Sequence, residues 1–483
     1  MKEKERKLTE RSIARNLFSL GVADILNKLL PLITFPYVVR VMGPEAFGTA
    51  NFGLAYVSFF LILVDFGLNI YAVREISVLK VQGMARLRGF INEIFTAKML
   101  LLVVTLIFYF TITSAFPFSF EKKMVIYLFG SMLVYHAFDF QWLLQGTENL
   151  GPYSVGSIIS NIIKIGAIFI FVHSPDDLLI YVMIVAASSF IIILVESLYL
   201  FHAGMRIRTS ISKNVYKHMI RAFPLAVSII SIMIYTRSDT LMLSFLKDDS
   251  IVGIYNAGYY IVFGALSLLT MVNTVFFPVI SKTVNSCGIG KRYQIISMRI
   301  MLLVGFSLFI FFFIFSREAL DIILGDQYER TLDSFRILIF IVPLIALSYI
   351  FGGQILLSRG KFKTYSLIIL SGGVLNIILN FILIPLLSEV GAAAATLVTE
   401  MMVASLTFYI SRKFIRIPFL RSFLNFLLIF ILLLSIKLIL FDHLPMIIIG
   451  ILVSLIYVIF LFLSGSISLK SIRTILKLTF ESE

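Results

Sequence analysis

The 483-residue sequence contains a single cysteine, Cys287, and few charged residues, 14% of the chain against 59% hydrophobic. One cysteine excludes an internal disulfide and any cysteine-based metal cluster. The scarcity of charge, with a mean hydropathy of +0.99, excludes a soluble globular domain. Period-2 alternation is missing as well. Stretches such as LLVVTLIFYF (Leu101 to Phe110) and LLIFILLLSIKLIL (Leu427 to Leu440) are continuous, so the membrane-spanning elements are helices of about 20 residues and not barrel strands. No cleavable signal peptide is expected: the charged start MKEKERKLTERSIAR leads into an apolar run too long and too polar for an h-region.

Hydrophobic windows read against glycine, proline and charge predict fourteen spans. Their cores lie at 17–39, 48–70, 90–113, 124–144, 150–172, 178–201, 219–246, 251–279, 295–316, 332–357, 364–387, 391–410, 422–441 and 444–464. Lysine and arginine collect at the N-terminus and in the even-numbered connections, for example Arg86, Arg88, Arg206, Arg208, Lys213, Lys217 and Arg221. The opposite loops are poor, holding mainly Arg40, Lys122, Lys123, Lys247, Arg317, Arg330 and Arg336. That bias predicts a multi-pass protein of the cytoplasmic (inner) membrane with both termini cytoplasmic. It also accounts for most of the +14 net charge, so no nucleic-acid partner is called for. The tail SISLKSIRTILKL suits either a surface-lying amphipathic helix or a solvated segment.

One phrase is written twice. FGTANFGLAY, Phe47 to Tyr56, returns 205 positions later as VGIYNAGYYI, placing Gly48, Asn51 and Gly53 on Gly253, Asn256 and Gly258. QWLLQG at Gln141 is echoed by QILLSRG at Gln354. The phrases open spans two and eight, an even number of crossings apart, so the repeat is parallel, about an axis along the membrane normal. The expected fold is all-α and polytopic, with two parallel six-helix bundles at 1–205 and 206–416, then two extra helices and a basic tail at 417–483. In such a fold the substrate passes between the halves. Gly48, Gly53, Gly253, Gly258 and Gly264 are expected where the halves meet, and Pro31, Pro36 and Pro224 are expected to interrupt spans one and seven.

The string TFPYVVRVMGPEAFGTANFGLAYVSFFLILVDFGLNIYAVREIS carries Arg40, Gly43, Pro44, Phe47, Gly48, Asp65, Gly67, Arg74 and Glu75. With RSDTLMLSF (Arg237 to Phe245), VGIYNAGYY and the outer-loop ILGDQY (Ile323 to Tyr328), it resembles the Wzx-like polysaccharide repeat-unit flippases of the multidrug/oligosaccharidyl-lipid/polysaccharide exporter superfamily. The resemblance covers roughly residues 12–416. It implies transfer of an undecaprenyl-pyrophosphate-linked oligosaccharide to the outer leaflet for O-antigen or capsule synthesis. It further implies coupling to protons or Na+, with membrane lipids and polysaccharide assembly proteins as partners and no cofactor.

Ionisable groups at membrane depth are costly, and each is a candidate site. A pyrophosphate head needs cations along its path. Lys28, Lys98, Lys164, Arg237 and Arg40 are the substrate-binding candidates, and Lys164, in SNIIKIGAIF with no local acid, is the strongest. Asp24, Asp65, Arg74, Glu75 and Asp239 are the coupling or gating candidates. Asp24 and Lys28, at i and i+4, can instead neutralise one another. Arg237 and Asp239 point to different sides of a helix, so each needs a partner elsewhere. Asp65, Arg74 and Glu75 suit a latch at the cytoplasmic end of span two. Asp139, His136, Glu196 and Glu400 are further ionisable groups that no spacing singles out.

The sequence has no HExxH, GxSxG or phosphate-binding Gly-Lys loop, and its longest outer loop, 315–331, is short. These absences disfavour an enzyme such as a membrane glycan polymerase. A multidrug or cation antiporter of the same superfamily is the nearer alternative, and the tally of intramembrane charges does not separate the two.

Overall fold

The computed structural model describes residues 2–80, 83–210, 212–283, 289–414 and Ser435, with side chains from Leu30 onward apart from those at 32, 228, 289 and 291. Among these residues every regular element is a helix, and nine stretches are long and apolar enough to cross a membrane. The chain is a multi-pass membrane protein. The first twelve expected cores fall on α1 (Lys2–Asp65), α2 (Leu68–Leu79), α3 (Met84–Ala115), α4 (Phe120–Phe138), α5 (Gln141–Gly146), α6 (Gly151–Phe171), α7 (Leu178–His202), α8 (Lys213–Leu246), α9 (Asp249–Thr283), α10 (Ile289–Ile314), α11 (Ser316–Ile323), α12 (Thr331–Leu338), α13 (Ile341–Ser348) and α14 (Phe362–Ser411). The thirteenth and fourteenth lie outside the described residues.

The breaks between and within spans differ from the expected ones. Spans one and two share α1 and are separated only by a kink at Gly43, with φ 68 and ψ 174. Backbone at positive φ suits glycine, and a single such residue redirects the helix. Spans eleven and twelve share α14 across a similar kink at Ser388, with φ 52. Pro31, Pro36 and Pro224 do not interrupt their spans; α1 and α8 run through them. Inside the membrane a helix tolerates proline where neighbouring groups meet the carbonyl it leaves free.

Two interruptions were not expected. Span four stops at Phe138 and resumes at Gln141, with Asp139 and Phe140 between. Span ten ends in a π-helix, Tyr349–Leu356. These are the two spans that the QWLLQG and QILLSRG echo pairs. Discontinuous helices and π segments in membranes expose backbone groups and concentrate at functional positions.

The chain divides into two compact units. One comprises 1–257, 323–329 and 377–392, and the other comprises 258–322, 330–376 and 393–483. The first is built on a buried core of Leu68, Tyr71, Ile94, Trp142, Leu144 and Leu200, drawn from α2, α3, α5 and α7. Gly67, at φ 74, begins α2 and sits so close to α8 that an added Cβ would lie 2.7 Å from Ala226 N and 2.8 Å from Ala222 O. In the second unit α10 packs on α13 and the π segment. There Gly305 admits Ala346, and Gln354 Nε2 donates to Asn273 Oδ1 at 3.3 Å.

Candidate functional site

The repeated phrase builds a helix contact. Gly48, on α1, and Gly253, on α9, lie against one another within the first unit. A Cβ at Gly48 would collide with the carbonyl of Asp249, and one at Gly253 with the carbonyl of Pro44. Each copy of the phrase also repeats the same local bond. Asn51 Nδ2 donates to Phe47 O at 2.7 Å and Asn256 Nδ2 to Val252 O at 2.9 Å. Gly53 and Gly258 do not join the halves as expected. Gly53 faces Val125 and Phe129 of α4, while Gly258 faces Thr331 and Phe335 of α12. They are equivalent positions, because α4 belongs to span four and α12 to span ten.

Around that contact the first unit carries a set of polar ties. Lys122 Nζ donates to Asp249 Oδ1 and to Ser244 Oγ, both at 2.6 Å, and lies 4.0 Å from the centre of the Phe52 ring. Thr49 Oγ1 donates to the other Asp249 oxygen at 3.1 Å. Arg40 Nε donates to Ile323 O at 3.2 Å, and Tyr328 Oη donates to Val39 O at 3.2 Å. An added Cβ at Gly43 would meet Gln327 Oε1 at 3.0 Å. The ILGDQY motif therefore seats on the Gly43 kink, which joins two motifs 280 positions apart. Sequence reasoning counted Lys122 only as a stray loop charge, since its partners lie far along the chain.

Lys122→Met is expected to lower stability by about 3 kcal/mol, because it strands the mostly buried Asp249 carboxylate. Thermal unfolding of the purified protein in detergent measures it. The charge swap Lys122→Asp with Asp249→Lys should recover part of the loss, and no recovery would show that the two charges do not act as a pair.

At the far end of α2 a second set forms. His218 Nε2 lies 3.0 Å from Glu93 Oε2, and His218 Nδ1 lies 3.0 Å from Tyr71 Oη. Ser212 Oγ and Asn214 Nδ2 donate to Glu93 Oε1. The Arg221 guanidinium reaches the Tyr71 hydroxyl and faces Glu75. The expected latch of Asp65, Arg74 and Glu75 is thus not one cluster. Glu75 faces α8 and Arg74 is exposed, whereas Asp65 is buried in the interior.

The cationic candidates separate in the same way. Lys164 is half-buried on α6, and no described residue gives it a hydrogen bond or an ion pair. Arg237 is likewise half-buried on α8, with no bond or ion pair to another described residue. Asp239, two residues on, is buried and accepts from Tyr255 Oη at 2.7 Å and Asn380 Nδ2 at 2.6 Å. Lys98 has no accessible surface. Its ammonium donates to Asn69 Oδ1 at 3.0 Å and Asp139 O at 3.4 Å, which makes it an interior counterion and not a lining group of an open path. The side chains of Asp24 and Lys28 lie outside the described residues.

The arrangement joins a repeated phrase that builds a helix contact, broken helices in spans four and ten, and cations on α6 and α8 that have no acid partner among the described residues. It agrees with a sequence profile: the family described as "Polysaccharide biosynthesis protein" matches residues 13–284, more than half of the chain. The chain belongs to this family.

Its relatives include a protein of Escherichia coli (strain K12) named "Putative O-antigen transporter", 28% identical over 82% of this chain and 95% of its own length. A Shigella dysenteriae protein of the same name is 24% identical over 80% of this chain and 97% of its own. Among solved structures, the lipid II flippase MurJ in an inward closed conformation superposes with a TM-score of 0.71 at 18% identity, covering 91% of this chain and 98% of MurJ. An inward-facing multidrug resistance MATE family transporter superposes at 0.62 and 14% identity, covering 81% and 97%. The fold of this polysaccharide biosynthesis family member is therefore the one seen in MurJ and in the MATE family transporter. At these identities the structural neighbours speak to the fold alone.

Proposed function

We propose that this protein is a flippase that moves an undecaprenyl-pyrophosphate-linked oligosaccharide repeat unit across the cytoplasmic membrane by alternating access, for O-antigen or capsule synthesis. The observation that carries the reading is the pair of cations, Lys164 and Arg237, that have no acid partner among the described residues, in a chain whose relatives bear the name of O-antigen transporters. A pyrophosphate is a strong multivalent acceptor, and a cation left without an acid partner in a membrane protein is costly unless an anion or water meets it. A lipophilic cation has no use for those groups, which favours the flippase over the multidrug antiporter.

The halves 1–205 and 206–416 act as the two moving bundles, and both termini lie in the cytoplasm. The Gly48–Gly253 contact, with Lys122 and Asp249 beside it, closes the outer end in the state described, and the Glu93–His218 and Glu75–Arg221 sets tie the cytoplasmic end. Arg40 steadies the outer loop. The protein is a carrier without catalytic chemistry, coupled to protons or Na+ and served by polysaccharide assembly proteins.

The test is export. In cells that make a lipid-linked repeat unit but lack its flippase, expression of this chain is expected to restore surface polysaccharide and to deplete the lipid-linked precursor on the cytoplasmic face. Persistence of that precursor at the level of cells without the chain, tried across several glycan structures, would rule the function out.

A further inference from the structure

The break in span four is lined by acids. Asp65 ends α1, Asp139 sits in the break, and Glu196 comes from α7; all three are buried, and so is Lys98 on α3. Each meets a backbone or amide group freed by a helix end. Glu196 Oε2 accepts from Phe140 N at 2.9 Å, Asp139 Oδ1 from Gln141 N at 2.9 Å, and Asp65 Oδ1 from Asn69 N at 3.3 Å. The Lys98 ammonium bridges Asn69 Oδ1 and the Asp139 carbonyl and lies within electrostatic reach of all three carboxyls.

The charges do not balance. Three carboxylates against one ammonium leave two negative charges in an interior that cannot hydrate them. The other titratable groups facing the cluster are His136 and Tyr135, with Tyr153 beyond them, and none of these is a fixed positive charge. One atom marks where the imbalance falls. Glu196 Oε1 is fully buried and has no hydrogen-bond partner among the described residues. A neutral carboxylic acid tolerates such an orphaned oxygen far better than a carboxylate does. A metal cation would need converging oxygens. Among the described residues no three acidic, histidine or cysteine side chains converge in that way, and the Lys98 ammonium already supplies a positive charge within electrostatic reach of all three acids.

We propose that the span-four break in the first unit is a proton-binding site, in which Glu196 and Asp139 share exchangeable protons against the fixed charge of Lys98, with Asp65 as its link to the moving helices. The link is short. Asp65 is two residues from Gly67, whose backbone lies on Ala222 and Ala226 of α8. Uptake of a proton relaxes the pull between Asp65, Asn69 and Lys98 and so alters how α2 seats on α8. The use of the site as the coupling site rests on the flippase reading; its existence does not.

Infrared difference spectroscopy of the full chain in liposomes, between acidic and alkaline pH, reads protonated buried carboxyls directly through their C=O stretch. The wild type is expected to show a carboxylic band that disappears on raising the pH. Glu196→Gln and Asp139→Asn should each remove part of it. Lys98→Met should keep the band to more alkaline pH, since loss of the ammonium removes the charge that favours the carboxylates. Glu196→Asp serves if the glutamine variant does not fold, and it should shift the band without abolishing it. A wild-type spectrum without the band, or one unchanged in all variants, overturns the proposal. So does a band erased by sodium, but not by choline, at fixed pH, which would assign the site to a metal cation. A normal band in a chain that exports no glycan would instead remove the flippase reading and leave the proton site standing.

Discussion

Gly253→Val is expected to reduce glycan export to background while leaving membrane insertion intact. The Cβ that valine adds would fall on the carbonyl of Pro44, and the reciprocal Gly48 already lies on the carbonyl of Asp249. Both obstacles are backbone atoms of helices, so no side-chain rotation relieves them. Overpacking of this kind costs about 3 kcal/mol at the upper end of its usual range, which would cut the population of the closed arrangement roughly 100-fold. A transporter that cannot form one of its end states does not cycle. Gly166→Val is the control, because an added Cβ there meets nothing within 4 Å. Surface polysaccharide, quantified at matched membrane levels of the two variants, reads the effect. Export by Gly253→Val equal to that of Gly166→Val would mean that the Gly48–Gly253 contact is not part of the cycle.

The second large effect is expected at Lys164 and Arg237. Hydrogen bonds to a charged group contribute about 1.5–3 kcal/mol each, so Lys164→Ala or Arg237→Ala should weaken engagement of the pyrophosphate roughly 10- to 150-fold. The double variant should export nothing detectable. Lys164→Arg keeps the charge and is expected to retain most of the activity, which separates a role in binding anions from a role in packing. Accumulation of the lipid-linked precursor, measured beside the purified variants' thermal unfolding, distinguishes lost binding from lost folding. Wild-type export by both alanine variants would remove the cationic path.

The contrast between Lys98 and Lys164 shows why position along the chain did not assign these residues. Counting rise per residue puts both near mid-membrane, and neither has an acid at helical spacing. Lys98 nevertheless points into a core that supplies Asn69, Asp139, Asp65 and Glu196 from four other segments. Lys164 meets none of these. The same blindness hid Lys122, whose acid partner is 127 positions away. It also hid Glu196, whose bond to Phe140 spans 56 positions. The signals that did exist were weak ones: a QWLLQG echo pointing at spans four and ten, and an aspartate just before it.

The amino-acid sequence by itself determined that the chain is a helical membrane protein and where its first twelve expected spans fall along the described helices. Those features follow from hydrophobic runs and short motifs, which act locally along the chain. Only the tertiary structure decided which glycines touch, which lysine is neutralised and where span four breaks. Charge pairing and steric fit depend on distances between helices, and a one-dimensional order of residues does not contain those distances.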